Sequence, residues 1–258
     1  MRFVLATLAA FFLGAEVGGI FLTFLERRAA CSSWWKEPYR CASCGHTLCA
    51  WDCIPVFSYL RSDGHCCYCD AKYPVTTILS ELVCGASFAS AFIMALLSVQ
   101  EGDIPCAVAK GTVMILLGLG AVNDIYSLEC ELPLLFGILV IGVLYAFFFA
   151  PKIWNLTFMT LVMALLYGAD RLYCKLKGLD FIIGKGDIFV LSGCCGVIHS
   201  FTIPIMLVIT FSIGMLSTPL AIKNQKVQGT YLDDEPGIAL LPFAVIGVLT
   251  ADLCSHLI

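Results

Sequence analysis

The chain has 258 residues, of which 60% are hydrophobic and 13% charged, with a mean hydropathy of +0.91. A soluble domain carries about 25% charged residues, so this composition excludes an ordinary soluble globule and points to a multi-pass protein of the lipid bilayer. The net charge of −4 argues against nucleic acid as a partner, because phosphate binding needs clustered Lys and Arg in excess.

A bilayer core takes about 20 apolar residues per helix, because lipid offers no partner to an unpaired backbone group. In chain order the apolar runs predict spans at 3–25, 77–99, 105–122, 132–149, 153–173, 202–222 and 237–257. The run 188–198 is short, with His199 and Ser200 placed to turn a tight hairpin; counting it gives about eight helices. The first run has the alternative reading of a secretory signal peptide. Glu26, Arg27 and Arg28 follow it and only Arg2 precedes it, which favours a retained anchor with its N-terminus outside.

Loop charges test that orientation by the positive-inside rule. The first loop holds Arg27, Arg28, Lys36, Arg40, Arg61 and Lys72, the fifth Arg171, Lys175, Lys177 and Lys185, and the seventh Lys223 and Lys226. Twelve of the fifteen basic residues thus fall on one side, leaving Arg2, Lys110 and Lys152 for the other side or the spans. The expected fold is an all-α polytopic membrane protein with a small zinc-ribbon-like cytoplasmic domain between the first and second helices. Its expected divisions are a first transmembrane helix at 1–25, a cytoplasmic cysteine-rich zinc-binding domain at 26–76, and a transmembrane peptidase domain at 77–258.

Eight of the fifteen cysteines lie between Cys31 and Cys69, inside the one long polar segment. Cys41-x-x-Cys44 and Cys66-x-x-Cys69 are two knuckles 21 residues apart, and such a pair places four thiolates around one tetrahedral Zn²⁺. A cytosolic location keeps thiols reduced and favours metal over disulfide. Cys49 and Cys53 could compete for the metal, and Cys67 could replace Cys66 with poorer spacing.

Asp124 follows the apolar run 106–122, and Asp187 closes Gly184-Lys185-Gly186-Asp187 directly before another apolar stretch. Both aspartates fall at the cytoplasmic border in the eight-helix topology. Either acid alone reads as a helix cap or a solvated border group. As a pair they suit peptide hydrolysis, in which one carboxyl takes a proton from water and the other gives one, because two adjacent like charges do not both ionise easily. Gly184 and Gly186 permit a sharp turn and close approach of substrate, and Lys185 reads as a membrane-surface anchor beside them. Glu16 and Glu81 lie within or at the edge of spans, where an ionisable group is costly and often functional.

The ordered set of Gly18-Gly19-Ile20-Phe21-Leu22, Tyr39-Arg40-Cys41-x-x-Cys44-Gly45-His46, Trp51-Asp52-x-Ile54-Pro55-Val56-Phe57-Ser58-Tyr59-Leu60, Cys66-x-x-Cys69, Glu81-Leu82, Gly85, Asp124, Leu132-Pro133, Gly184-x-Gly186-Asp187 and Leu241-Pro242-Phe243-Ala244 resembles the type IV prepilin leader peptidases along nearly the whole chain. The resemblance implies a membrane aspartyl endopeptidase of the bacterial inner membrane, with Asp124 and Asp187 catalytic and facing the cytoplasm. Its substrates would be type IV pilin-like precursors, whose short basic leader it removes. Members with the cysteine loop commonly also methylate the new N-terminal amine from S-adenosylmethionine, and Glu81 matches a family position suited to substrate or methyl-donor contact. The chain departs from the family at Thr23, at Tyr73-Pro74 and after Asp124, where Cys130-Glu131-Leu132-Pro133 carries no Asp after the Pro. Two other classes compete. A metal or ion transporter with a metal-receiving cysteine loop would favour acids in mid-span. A non-catalytic scaffold of a pilus or secretion machine would have no need of both aspartates and the Gly-x-Gly turn.

Overall fold

The computed structural model describes residues 1–31, 39–41, 43–127, 132–149, 154–177, 185–228 and 240–256. Gly184, Trp34-Trp35 and Asp233-Asp234-Glu235 lie outside the described residues, as do Glu129 and Glu131. The described helices are α1 (Arg2–Ala29), the short α2 (Phe57–Arg61), α3 (Val75–Gln100), α4 (Ile104–Ser127), α5 (Leu132–Phe148), α6 (Trp154–Lys177), α7 (Lys185–Cys195), α8 (Ile203–Gln228) and α9 (Leu241–Ser255). Among the described residues there is no strand, only two isolated antiparallel bridges in the cysteine-rich segment. Each predicted span corresponds to one helix. Helices α1, α3 and α4 are long and apolar enough to cross a membrane, while α5, α7, α9 and residues Ile203–Leu216 of α8 are shorter apolar helices.

The ends follow local chemistry. α1 closes on Arg27 and Arg28, cations that suit the partial negative charge of a helix C-terminus. α9 opens with Pro242 in its first turn, where a missing N–H costs nothing. Lipid gives two apolar helices no hydrophobic reason to associate, so membrane interfaces rely on small residues that let backbones approach. Accordingly Leu5, Leu8 and Leu13 of α1 remain exposed, whereas Gly14 and Gly18 are buried against Ser80, Cys84 and Phe88 of α3. A Cβ on Gly18 would stand 2.7 Å from both Cys84 Cβ and the Ser80 carbonyl.

α4 is the central helix, packing on α1, α3, α5 and α9. Its buried face, with Val113, Met114, Leu117 and Ala121, joins a core shared with α5, α7 and α9. The turn expected at His199-Ser200 is present at 196–202, but it does not make a hairpin. α7 packs against α5 and α6, and α8 packs against α9. Glycines explain the first pairing: a Cβ on Gly142 of α5 would collide with the Gly193 carbonyl of α7, so α7 is committed to α5 rather than to its neighbour in sequence.

Candidate active site

The segment between α1 and α3 folds as two matching knuckles. In one, the Cys41 N–H donates to the His46 carbonyl and the Gly45 N–H to the Cys41 carbonyl; in the other, Cys66 donates to Ala71 and Asp70 to Cys66, all at 2.9 Å. Antiparallel bridges Arg40–Thr47 and His65–Lys72 close the two loops. The equivalent residues Gly45 and Asp70 both adopt positive φ, at 70° and 58°. The His46 and Tyr68 rings stack at 3.4 Å between centroids, joining one knuckle to the other.

This symmetry brings the sulfurs of Cys41, Cys44, Cys66 and Cys69 within 4.8 Å of one another. Four thiolates around Zn²⁺ at about 2.3 Å stand about 3.8 Å apart, and Cys41 Sγ lies 3.8 Å from Cys69 Sγ. The backbone N–H groups of Tyr68 and Cys69 lower the Cys66 thiol to about 6, and those of Cys44 and Ser43 lower Cys41. Both are therefore disposed to the thiolate form that binds metal. The four-cysteine cluster fits a structural zinc ion, and with four sulfurs no coordination position stays open for catalysis. Cys49 and Cys53 stand outside the cluster: the Cys49 N–H and Sγ both donate to Asp52, which also pairs with Arg61 at 2.7 Å. Cys67 is exposed and outside it as well.

Glu81 joins this segment to the helices. Its Oε2 accepts the Val56 N–H at 2.6 Å. Val56 has φ 62° and ψ −47°, and the Phe57 N–H donates to the Pro55 carbonyl at 2.6 Å. This is the positive-φ γ-turn, a rare and strained form, here centred on a β-branched residue. Beside it a pocket of about 320 Å³ opens between α1, the knuckles and the start of α3, with Glu16, Glu26, Asp52 and Glu81 on its wall together with Tyr39 and Tyr59. Glu16, unassigned from sequence, thus faces the same space as Glu81.

Asp124 lies near the C-terminal end of α4. α4 continues past it to Ser127, and Asp124 is 4% exposed. Its Oδ2 accepts the Leu241 N–H at 3.0 Å. α9 has no cap from its own side chains, so Asp124 supplies one from another helix at the positive end of the α9 dipole. Asp187 lies in the first turn of α7, partly exposed, one residue after Gly186. The two carboxylates are near enough to act on each other electrostatically. The Asp124–Leu241 bond joins the C-terminal end of α4 to the N-terminal end of α9, and α7, with Asp187 in its first turn, packs beside α9. The Leu241 N–H was beyond sequence reasoning, although the Leu241-Pro242 motif marked its position.

Lys110 and Asp252, neither assigned from sequence, form an ion pair of 2.5 Å at the other end of α4 and α9. His256 lies 2.8 Å from Glu101 and 3.7 Å from Asp252.

Residues 12–95 match the family model described as the bacterial peptidase A24 N-terminal domain. The match spans most of α1, the cysteine-rich segment and most of α3, and ends before α4. Neither the curated proteins nor the solved structures offer a match. The all-α membrane fold, the four-cysteine cluster at 41–69 and the match over residues 12–95 to a bacterial peptidase A24 N-terminal domain are consistent with the type IV prepilin peptidase family.

Proposed function

We propose that the protein is an aspartyl endopeptidase of the bacterial inner membrane that removes the leader of type IV prepilin-like precursors, with Asp124 and Asp187 as the catalytic pair. What supports this reading is Asp124, buried on α4, with Asp187 in the first turn of α7 near enough to act on its charge. In this reading one carboxylate takes a proton from water while the water oxygen bonds to the scissile carbonyl carbon. The other carboxyl protonates the carbonyl oxygen. Collapse then breaks the C–N bond, and the leaving amine takes the proton. Acid and base belong to the pair as a unit. Residues 26–76 act as the cytoplasmic zinc-binding module and 77–258 as the peptidase domain, with Gly184 and Gly186 shaping the substrate approach and Lys185 anchoring it at the surface.

The second activity in this reading is methylation of the new N-terminal amine. The pocket beside Glu81 supports it, since its carboxylates suit the sulfonium cation of S-adenosylmethionine and its tyrosines suit a flat base. S-adenosylmethionine bound there would supply the methyl group to the amine, and a carboxylate such as Glu81 would take the amine proton.

Incubation with a pilin precursor, read by mass of the new N-terminus, tests both activities together. Asp124→Ala and Asp187→Ala are each expected to insert normally and to lose cleavage by at least about 10³-fold, in the range of losing one member of a catalytic unit. Cleavage at the normal rate by either variant ends the aspartyl reading. Cleavage with no 14 Da gain in the presence of S-adenosylmethionine removes the methyl-transfer reading alone.

A further inference from the structure

We propose that Lys110 and Asp252, at the end of the bundle away from the aspartate pair, are positioning residues that fix the register of α9 on α4 and so hold the Leu241 N–H against Asp124. The functional part of this inference rests on the reading of Asp124 given above.

Lys110 and Asp252 side chains are 6% and 0% exposed, with Nζ 2.5 Å from Oδ1. Among the described residues Asp252 has no neutral hydrogen-bond donor, so Lys110 and His256 are what it meets. A buried ion pair is a weak source of net stability, and setting register is its best-attested use. In a bilayer the cost of leaving either charge alone is larger still.

The geometry suits that use. Lys110 and Asp124 lie about four turns apart on α4, about 21 Å, and Leu241 and Asp252 about three turns apart on α9, about 16 Å. Each separation returns to nearly the same helix face, and the reach of the lysine side chain spans the difference. The antiparallel pair is thus tied at both ends, by Lys110–Asp252 and by Asp124–Leu241. Between the ties the buried residues are apolar, with Val113, Met114, Leu117 and Ala121 on α4 and Ala244, Val245, Val248 and Ala251 on α9. Apolar contacts are non-directional and do not by themselves mark one register, whereas a buried charge pair does. A slip of one residue moves α9 by about 1.5 Å and turns it by about 100°, which takes the Leu241 N–H off the carboxylate. His256, against Glu101 at 2.8 Å, fastens the same end of α9 to the turn after α3.

The test compares the full-length protein with Lys110→Met, Asp252→Asn and the double variant K110M/D252L in detergent. The single changes leave a charge or a polar group buried and are expected to lower thermal stability. The double variant removes both charges at similar volume and is expected to unfold within a few degrees of wild type. In that stable variant kcat for precursor cleavage is expected to fall at least about tenfold, with KM within about twofold, because a shift near 1 Å misplaces a catalytic group. Hydrogen exchange of segment 240–245, followed by mass spectrometry, is expected to quicken at least about fivefold as the Asp124 contact opens. A stable double variant with wild-type exchange and wild-type kcat overturns the proposal. If the wild-type protein cleaves no precursor, the peptidase reading fails instead, and the exchange result alone decides the register.

Discussion

At the scale of single residues, Glu81 and Val56 show how the cysteine-rich segment is held to the helices. A valine at φ 62° is held where its β-branch crowds the backbone, and such conformations cost about 1–3 kcal/mol unless the surroundings enforce them. The Glu81 carboxylate, taking the Val56 N–H at 2.6 Å, is one such enforcement. Removing it with Glu81→Ala is expected to destabilise the protein by about 1–3 kcal/mol, the range for a charge-assisted hydrogen bond with a buried partner. In a Val56→Gly background, where positive φ is unstrained, the same change is expected to cost about 1 kcal/mol less. Denaturant titration of the four proteins of the cycle in detergent measures the difference, and additive effects refute the link. None of this was readable in advance. The turn at Val56 is tied to a carboxylate 25 residues away, which no local motif records.

At the scale of elements, the placement of α7 decides where Asp187 stands. This helix runs only from Lys185 to Cys195, too short to be fixed by length in a bilayer, and its neighbours α5 and α6 hold it. Gly142 of α5 is the close-approach point, since a Cβ there meets the Gly193 backbone carbonyl and a carbonyl cannot rotate aside. Gly137, on the same helix, would instead meet only Leu116 Cδ1 at 3.2 Å, the tip of a flexible side chain. Gly142→Ala is expected to push α7 outward and lower precursor cleavage at least about tenfold, while Gly137→Ala changes it by about twofold or less, the contrast between backbone and side-chain overpacking. Equal rates for the two variants, measured on a pilin precursor, contradict this placement. The existence of α7 was legible because apolar residues run from Ile188 to Gly193. Its partner was not legible, because adjacency in sequence suggested a hairpin with α8, whereas contact between glycines leaves no signal in composition. The helices themselves were legible for the opposite reason: lipid demands apolar length and composition records it directly, with α1, α3 and α4 long and apolar enough to cross a membrane. Ionisable residues inside those spans were a signal left unused. Lys110 and Asp252 lie in two predicted spans, and the cost of an intramembrane charge argues that each has a partner.

At the scale of the whole molecule, the described contacts divide into a helical bundle and a metal-sized knot of sulfurs, joined through Glu81 and the pocket wall. Spacing alone made the four cysteines legible, because C-x-x-C knuckles impose their own turns, and Cys41, Cys44, Cys66 and Cys69 are the set that clusters. The bundle needs no metal to bury its core, which lies on α3 to α9. The knuckles bury little besides Cys41 and Cys66, so their order depends on the ion, as in small sites where metal binding is itself the folding energy. The purified protein is therefore expected to carry about one zinc per chain and to lose it on replacing Cys41 and Cys66 by Ser. Chelation of the wild type is expected to expose the 39–73 segment to limited proteolysis while the helical far-ultraviolet signal falls by no more than about a tenth, since α2 contributes five residues. Mass analysis of the fragments locates the cuts. A loss of helical signal across the whole bundle on chelation would make the ion part of the membrane core. A chelated protein as resistant to protease as the holo form would make the knuckles self-supporting. Cuts confined to 39–73, with the helices retained, fit a cysteine module that orders on its metal beside a bundle that assembles the aspartates without it.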